Sequence, residues 1–479
     1  MHLVWFRKDL RILDNPALFT AIQRGGSVVA AYVATPQQWQ KHNMAPIQAD
    51  LIFRHLEALR CELEQLNIPF LYAEKPDYNH SVQAIVELAR VLGCKTISVN
   101  REYELNEQRR DDELVAKSAP LGISACLYHD RCLLPPGSIL NQEQRYFKVF
   151  TPFKRKWLTQ FALTAQDVCK PSCAVPHSIL SFPAANRVGF TVFDSNSHFG
   201  YSRQNSSDYF TDTSDILHRL RYYSMHSLAD YAVLRDFPAV DGTSRLSPYL
   251  TIGALSVRQC VAAMRERAVN DLDCGAESWL NEFIWREFYQ HLVALEPKIS
   301  QRKSFHSWGD LIPWRNNTVW FNKWQRGETG YPIIDAAMRQ LNRTGWMHNR
   351  LRMVVASFLT KDLHIDWRWG ETYFMRKLVD GDFAANNGGW QWSASTGCDA
   401  QPYFRIFNPV SQGEKFDSDG QFVRRWIPEL ARVPDRYLHK PWLWKGYDSL
   451  HYPFPLVDHK QQRTITLMLY QNAKQRQAG

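Results

Sequence analysis

His2-Leu3-Val4-Trp5-Phe6-Arg7-Lys8-Asp9-Leu10-Arg11 opens the chain with a short apolar run that breaks at once into charge. Five residues are too few for a helix, and nothing polar interrupts Leu3 to Phe6, so the run reads as a strand buried on both faces. Three later segments have the same character, Val28–Thr35, Phe70–Ala73 and Thr96–Asn100. Between them, Ala49–Gln65 and Ser81–Leu92 carry apolar residues at helical spacing. Strands alternating with helices predict a parallel sheet built from βαβ units, a Rossmann-like α/β domain over residues 1–135. The turn after the first strand holds neither GxGxxG nor GxxxxGK[ST], so a conventional dinucleotide or P-loop site is not expected there. Such a fold need not bind a nucleotide in the usual way.

The rest of the chain reads differently. Residues 136–210 are rich in Pro, Ser and Asn, begin with Pro135-Pro136-Gly137, include Ser195-Asn196-Ser197, and predict an interdomain linker. From about Thr211 to residue 479 helical periodicity dominates, which predicts an all-α second domain over 211–479. No stretch approaches the ~18 apolar residues of a membrane helix, and the N-terminus turns charged too early for a secretory signal. Nine scattered cysteines without CxxC argue for a reducing cytosol and against a disulfide framework or a metal site.

Charge and tryptophan are both lopsided. Residues 1–135 carry 15 Lys+Arg against 16 Asp+Glu, whereas the whole chain carries 57 against 48, so all the net basicity lies in the later part. A basic domain favours an anionic partner, nucleic acid first, with a solvated surface as the plain alternative. Of 17 tryptophans, fourteen lie at or beyond Trp279, more than packing usually demands.

Four motifs fall in that domain. Thr243-Ser244-Arg245-Leu246-Ser247-Pro248 reads as a helix start with Ser247 as N-cap, serving either capping alone or an anion such as a pyrophosphate. Within Trp279-Leu280-Asn281-Glu282-Phe283-Ile284-Trp285-Arg286-Glu287-Phe288-Tyr289, residues Glu282, Trp285, Arg286 and Tyr289 share one helix face. An ordinary core face does not gather a carboxylate, a guanidinium and two aromatics. Asn349, Arg352 and Met353 repeat the pattern at i, i+3 and i+4, and the nearby His348 reads as structural because no second ligand sits at zinc spacing. Asp380-Gly381-Asp382-Phe383-Ala384-Ala385-Asn386-Asn387-Gly388-Gly389-Trp390-Gln391-Trp392 joins acids, amides, a double glycine and two tryptophans, a composition that lets backbone approach a ligand closely.

These motifs resemble those of DNA photolyases in the cryptochrome/photolyase family, most closely the bacterial class I enzymes that repair cyclobutane pyrimidine dimers. The resemblance runs from Trp5-Phe6-Arg7-Lys8-Asp9-Leu10-Arg11 to Asn408-Pro409. It implies an α/β antenna domain, a linker and a helical domain that binds FAD and DNA. Tyr231, Thr243, Ser244, Arg245, Leu246, Ser247, Trp279, Arg286, Arg352, Asp380, Asp382 and Asn386 are implied to hold FAD, with Asn386 favouring the reduced, anionic flavin. Glu282, Trp285, Asn349, Met353 and Trp392 are implied to hold a flipped-out dimer. Flipping is a step already attributed to photolyases as a class. Trp314, Trp367 and Trp390 match the electron-transfer chain, and Arg235, Arg350 and Arg405 the DNA phosphate contacts. His42, Asn106 and Glu107 match the contacts of a folate antenna, 5,10-methenyltetrahydrofolate, although Ser300-Gln301 stands where those relatives can have Cys-Lys, and 8-hydroxy-deazaflavin is the alternative chromophore. The resemblance further implies a cytoplasmic, nucleoid-associated monomer with no membrane contact and no obligate protein partner.

Three competing readings are less favoured. A cryptochrome-type blue-light photoreceptor would share fold and FAD, but many such sensors carry Asp or Cys in place of Asn386 and have a long signalling tail. A (6-4) photolyase would look for His where Asn349 and Met353 stand. A non-catalytic single-strand binder would not need the Asp380/Asn386 loop.

Overall fold

A computed structural model describes residues 1–164, 167–175, 183–194, 196–267 and 273–478. Strands β1 (His2–Phe6), β2 (Val28–Ala34), β3 (Phe70–Glu74), β4 (Thr96–Asn100), β5 (Ser124–Tyr128) and β6 (Thr191–Val192) form one sheet in the order β5-β4-β1-β2-β3-β6. The first five pair in parallel, with Leu3 beside Val29 and Ile97, and β6 pairs antiparallel with β3. Leu3 and Trp5 enter one core cluster, with Val29, Ala31 and Val33. Val4 and Phe6 enter another, with Ala30 and Tyr32, which continues without a break into Trp279, Phe283 and Phe288 of the helical part. Period-two alternation therefore meets apolar partners on both faces, which is why the strands read as unbroken apolar runs.

The predicted helices are present as Pro46–Gln65 and Tyr78–Val91, and Pro16–Gln23 and Leu105–Ser118 complete the crossovers. The 136–210 segment is more structured than its composition suggests. It contributes β6 and a helix over Phe150–Phe161, whose Phe150, Phe153, Trp157 and Phe161 are buried. Residues 165–166, 176–182 and 195 of that predicted linker lie outside the described residues. Beyond it, the chain is helical. Its second core packs Trp324, Trp367, Phe374 and Trp390 between the helices Pro332–Thr344, Asn349–Ser357, Trp367–Met375 and Phe383–Ser393.

Candidate active site

The helix Cys274–Leu295 is the backbone of the site. Phe283, Ile284, Glu287 and Phe288 are buried, whereas Glu282, Trp285, Arg286 and Tyr289 are half-buried on the face that the i, i+3, i+4, i+7 spacing defines. Arg235 donates to Glu282 at 2.7 Å. Burial raises the Glu282 carboxyl above its ordinary pKa, and the Arg235 charge offsets only part of that. The Trp285 ring lies flat on Phe150, with centroids 3.6 Å apart and planes 5° apart. Arg286 donates to the Arg131 carbonyl at 2.5 Å. Glu287, behind the face, accepts from the Leu133 and Leu134 amides and, at 2.6 Å, from the Trp157 indole, so it pins the chain entering the 136–210 segment.

Two further helices enclose a cavity of ≈ 150 Å³ lined by Asn349, Arg352, Met353, Asp380, Asp382, Asn386, Gly389 and Trp390. Arg352 contacts both oxygens of Asp380, at 3.0 and 2.8 Å. Asp382 caps the helix Phe383–Ser393 through the Ala385 amide at 3.0 Å and pairs with Arg131 at 2.5 Å. Burial pushes the Asp382 carboxyl up, but Arg131 and Arg286 outweigh it and hold the pKa below the usual range. Asn386 donates its amide to the Glu371 carbonyl at 3.0 Å, which leaves its own oxygen to the cavity. A Cβ placed on Gly389 would meet nothing within 4 Å, so the wall is open to a ligand at that turn. An ion pair, a fixed amide oxygen and an open glycine wall suit a planar polar ring system such as a flavin.

Other predicted site residues are placed less directly. Trp279 and Tyr231 are buried, Trp279 against Tyr223 and Phe283 and Tyr231 under Arg235. The 243–247 segment departs from the expected cap. Leu246 is the N-cap of a short helix Ser247–Ile252, so Ser247 lies one position inside it, and its hydroxyl accepts from no backbone amide but donates to the buried Asp380 carboxylate, 133 residues away, at 2.6 Å. Arg245, at φ +52°, pairs with Asp241 and lies over Trp346. His348 is an N-cap, accepting from the Arg350 amide. Trp392 is half-buried, and among the described residues no ring contact joins it to Trp285.

Trp390 and Trp367 share one core cluster and Trp314 packs against it, although the described residues show no ring contact among the three. Gly370, one turn from Trp367, lets the Trp390 ring lie directly on that helix, because any Cβ there would overlap it. Arg235 and Arg350 are paired with Glu282 and Asp236, each at 2.7 Å, while Arg405 is exposed. In the N-terminal domain, His42 meets Asn106 at 3.0 Å and Glu107 at 3.5 Å, with Tyr78 donating to Glu107 at 2.8 Å. Asn43 accepts from Arg376 and Gln108 reaches the Ala294 carbonyl, so this cluster faces the helical domain.

Sequence reasoning missed Arg131, Gln48, Gln290 and Phe150. Gln48 donates to the Val379 and Gly381 carbonyls at 3.1 Å each and Gln290 to Asp382 at 3.3 Å. Only Phe150 left a signal, the helical spacing of Phe150, Phe153, Trp157 and Phe161. Among the described residues no group of His, Cys, Asp and Glu could hold a metal, and no helix is long and apolar enough to cross a membrane.

Residues 2–174 match the family model described as DNA photolyase, and residues 279–472 the one described as the FAD binding domain of DNA photolyase. Fold and site together place the chain in the DNA photolyase family. It is 52% identical over 475 residues to the deoxyribodipyrimidine photo-lyase of Vibrio cholerae, covering 99% of this chain and 100% of that one. Among solved structures, it superposes on a bacterial class III photolyase from Agrobacterium tumefaciens with a TM-score of 0.84 at 34% identity, covering 99% of this chain and 98% of that chain. A Synechocystis cryptochrome gives a TM-score of 0.80 at 29% identity over 98% of this chain and 99% of that chain. Fold alone therefore does not separate repair enzyme from light sensor.

Proposed function

We propose that this protein is a light-driven DNA-repair enzyme that splits cyclobutane pyrimidine dimers, flipped out of the duplex, with no net redox change. The observation that carries it is the wall shared by the helices Asn349–Ser357 and Phe383–Ser393, where the Arg352–Asp380 pair and the Asn386 amide line one cavity. The Arg352–Asp380 pair and Asn386 would hold FAD there in its reduced, anionic form, and the bound flavin would supply light-driven electron transfer with no net redox change. The protein positions and stabilises. Asp380, fixed by Arg352 and Ser247, and Asp382, fixed by Arg131, hold the cavity wall together with Arg286. Trp285, backed by Phe150, offers a flat face to one pyrimidine ring and Trp392 to the other, while Met353 fills space. Glu282 and Asn349 hydrogen-bond the base edges and stabilise negative charge as it develops there. A crosslinked pyrimidine pair stacks poorly, which lowers the cost of extrusion.

Tyr231, Thr243, Ser244, Arg245, Leu246, Ser247 and Trp279 take the nucleotide end of the cofactor. Trp314, Trp367 and Trp390 relay electrons to oxidised flavin. Arg235, Arg350 and Arg405 contact phosphates, so affinity falls as salt rises. The antenna is a folate at the cluster of His42, Asn106 and Glu107. Nine free cysteines agree with work in a reducing cytosol, and the family resemblance is what supports action on the nucleoid as a monomer. Asn386, together with Asn349 and Met353, favours dimer repair over light sensing and over (6-4) repair.

The deciding experiment is anaerobic illumination of the reduced holoprotein with dimer-containing DNA and, separately, with (6-4) lesions. Restoration of the first alone is expected. Restoration of neither, or of the second alone, would overturn the reading.

A further inference from the structure

Lys361 is fully buried, and the proposed reaction makes no use of it. It lies in a π-turn, Phe358–Asp362, that continues the helix Asn349–Ser357 beyond Asn349 and Met353. The Leu363 amide closes that turn on the Phe358 carbonyl at 3.0 Å, one residue wider than an α-turn, and such insertions often mark functional positions. Among the described residues Lys361 makes no ion pair. Its neighbour Asp362 gives a carboxylate oxygen to His459 at 2.6 Å instead. Burial lowers the Lys361 amine to about 7, and the Asp362 charge offsets only part of that. A buried ammonium without a carboxylate partner is costlier than a methionine of the same length, so its place in the core calls for a reason.

The contacts of the head group supply one. Lys361 Nζ donates to Ser395 Oγ at 2.9 Å and to the Arg405 carbonyl at 3.1 Å, the two ends of the loop that follows the helix Phe383–Ser393. An ammonium has the several donors such a closure needs. The loop is joined to both rings proposed for the dimer. Trp392 stands just before it, its carbonyl accepting from the Ser395 amide at 3.2 Å. Asp399, within it, accepts from the Phe150 amide at 2.9 Å, and Phe150 backs Trp285. Ser395 and Asp399 hold left-handed backbone, at φ +60° and +48°, a shape that persists only where the surroundings enforce it. Lys361 itself is braced from behind, its carbonyl accepting from Thr466 Oγ1 on the last helix, His459–Ala478. A fixed post on the Asn349 and Met353 helix thus reaches across to the segment that places Trp392 and, through Asp399 and Phe150, Trp285.

We infer that Lys361 is a positioning residue for lesion recognition, its ammonium clamping the 395–405 loop to the helix of Asn349 and Met353 and so fixing the Trp392 and Trp285 faces relative to each other. The inference rests on the repair reading for its substrate. Lys361→Met keeps the length and removes both the donors and the buried charge. In the flavin-loaded holoprotein its unfolding midpoint and flavin content stay at or above the wild-type values, because an unpaired charge has left the core. Affinity for a duplex with one dimer falls about tenfold, the scale of one charge-assisted hydrogen bond. Repair per photon of dimer already bound stays at the wild-type value. So does affinity for the same duplex undamaged, since the exposed Arg405 side chain needs no fixed backbone to meet a phosphate. A residue that merely supports the fold would lose stability, flavin and both affinities together, and that pattern overturns the inference. Ser395→Ala, which spares the buried amine, gives a smaller loss of dimer affinity and adds nothing in the Lys361→Met background; strict additivity overturns the clamp. Amide hydrogen exchange of the 395–405 peptide without DNA tests the clamp alone. Protection falls in Lys361→Met, and unchanged protection overturns the inference. Wild type that binds both duplexes equally would instead overturn the repair reading, while the exchange result still decides whether the loop is clamped.

Discussion

Arg131 lies in the N-terminal domain, yet its guanidinium is the partner of Asp382, the cap of the helix that carries Asn386, Trp390 and Trp392. The two side chains are 4% and 7% exposed, so the pair is desolvated. Arg131→Met removes the cation and keeps the bulk. Asp382 would retain the Ala385 amide at 3.0 Å and Gln290 at 3.3 Å, and Arg286, which bonds the Arg131 carbonyl, would stay in place. Stranding one member of a buried pair costs roughly 3–5 kcal/mol. The carboxyl can escape by taking a proton, which from an ordinary pKa of 3.8 costs about 4 kcal/mol at pH 7, at about 1.36 kcal/mol per unit. That route sets a ceiling and gives the pH dependence its sign. In the variant the folded-state pKa of Asp382 is raised, so the deficit is small near pH 4 and grows as pH rises towards 7. The loss falls first on the Phe383–Ser393 helix, so flavin content should drop before the chain unfolds as a whole. The assays are flavin absorbance per polypeptide after gel filtration, and denaturant unfolding at pH 5 and pH 7.5. A second arm measures coupling, since Arg131→Met combined with Asp382→Asn should be less destabilised than the sum of the single variants by roughly 1–3 kcal/mol. Full flavin content with an unshifted midpoint in Arg131→Met, or strict additivity in the double variant, would refute the argument.

Gly370→Ala would drive a methyl group into the Trp390 ring, at an overpacking cost of roughly 1–3 kcal/mol. Photoreduction of oxidised flavin should slow while chemically reduced protein still repairs, and flash absorption with an unchanged rate would remove Trp390 from the relay. Phe150→Ala takes away the ring that backs Trp285; at about 0.5–1.5 kcal/mol for a stacked pair, dimer affinity should fall roughly 2- to 10-fold. Undamaged DNA should bind as before, and an equal loss on both would make Phe150 merely structural. Glu371 is pushed up to about 7 by burial, so its contribution to stability is full below its ordinary pKa of 4.5 and lost as pH rises through about 7. Glu371→Gln should therefore gain roughly 3 kcal/mol more at pH 8 than at pH 4.5, and equal unfolding midpoints relative to wild type at both pH values would contradict it. Glu282 shares Arg235 with any bound phosphate, so DNA binding should raise its pKa further and be accompanied by proton uptake as pH falls towards the carboxylate range; binding enthalpies that do not change with buffer at any pH would count against this.

How much was legible follows from where each residue finds its partner. β1 to β4 are buried on both faces, so their apolar runs announced them. β5 is an edge strand, half-exposed from Ala125 to Tyr128, and its sequence carries no such run. The Phe150–Phe161 helix did show four large apolar residues at helical spacing, but Pro152 and Lys154-Arg155-Lys156 masked them among linker-like neighbours. The face of Cys274–Leu295 was legible because its residues are helix neighbours. Arg131 was not, because Asp382 lies 251 residues away and no local rule couples them. Ser247 was misread for the same reason, since local chemistry offered a cap and the fold supplied Asp380.

The distribution of charge around the cavity follows from the kind of chemistry proposed. An electron that leaves the flavin and returns requires no proton from the wall, so groups facing the cavity should be held in one charge state. Asp382 is held so by Arg131 and Arg286. The carboxyls that burial lifts to about 7, Glu287 and Glu371, stand behind the helices and spend their oxygens on the scaffold. Glu287 takes two backbone amides and an indole. Glu371 takes Asn387, which passes through Gln391 to the Phe305 amide. Glu282 is the exception, a half-buried carboxyl on the face proposed for the substrate, which burial raises and the Arg235 charge only partly offsets, so its hydrogen bonding to a base edge is tuned by Arg235.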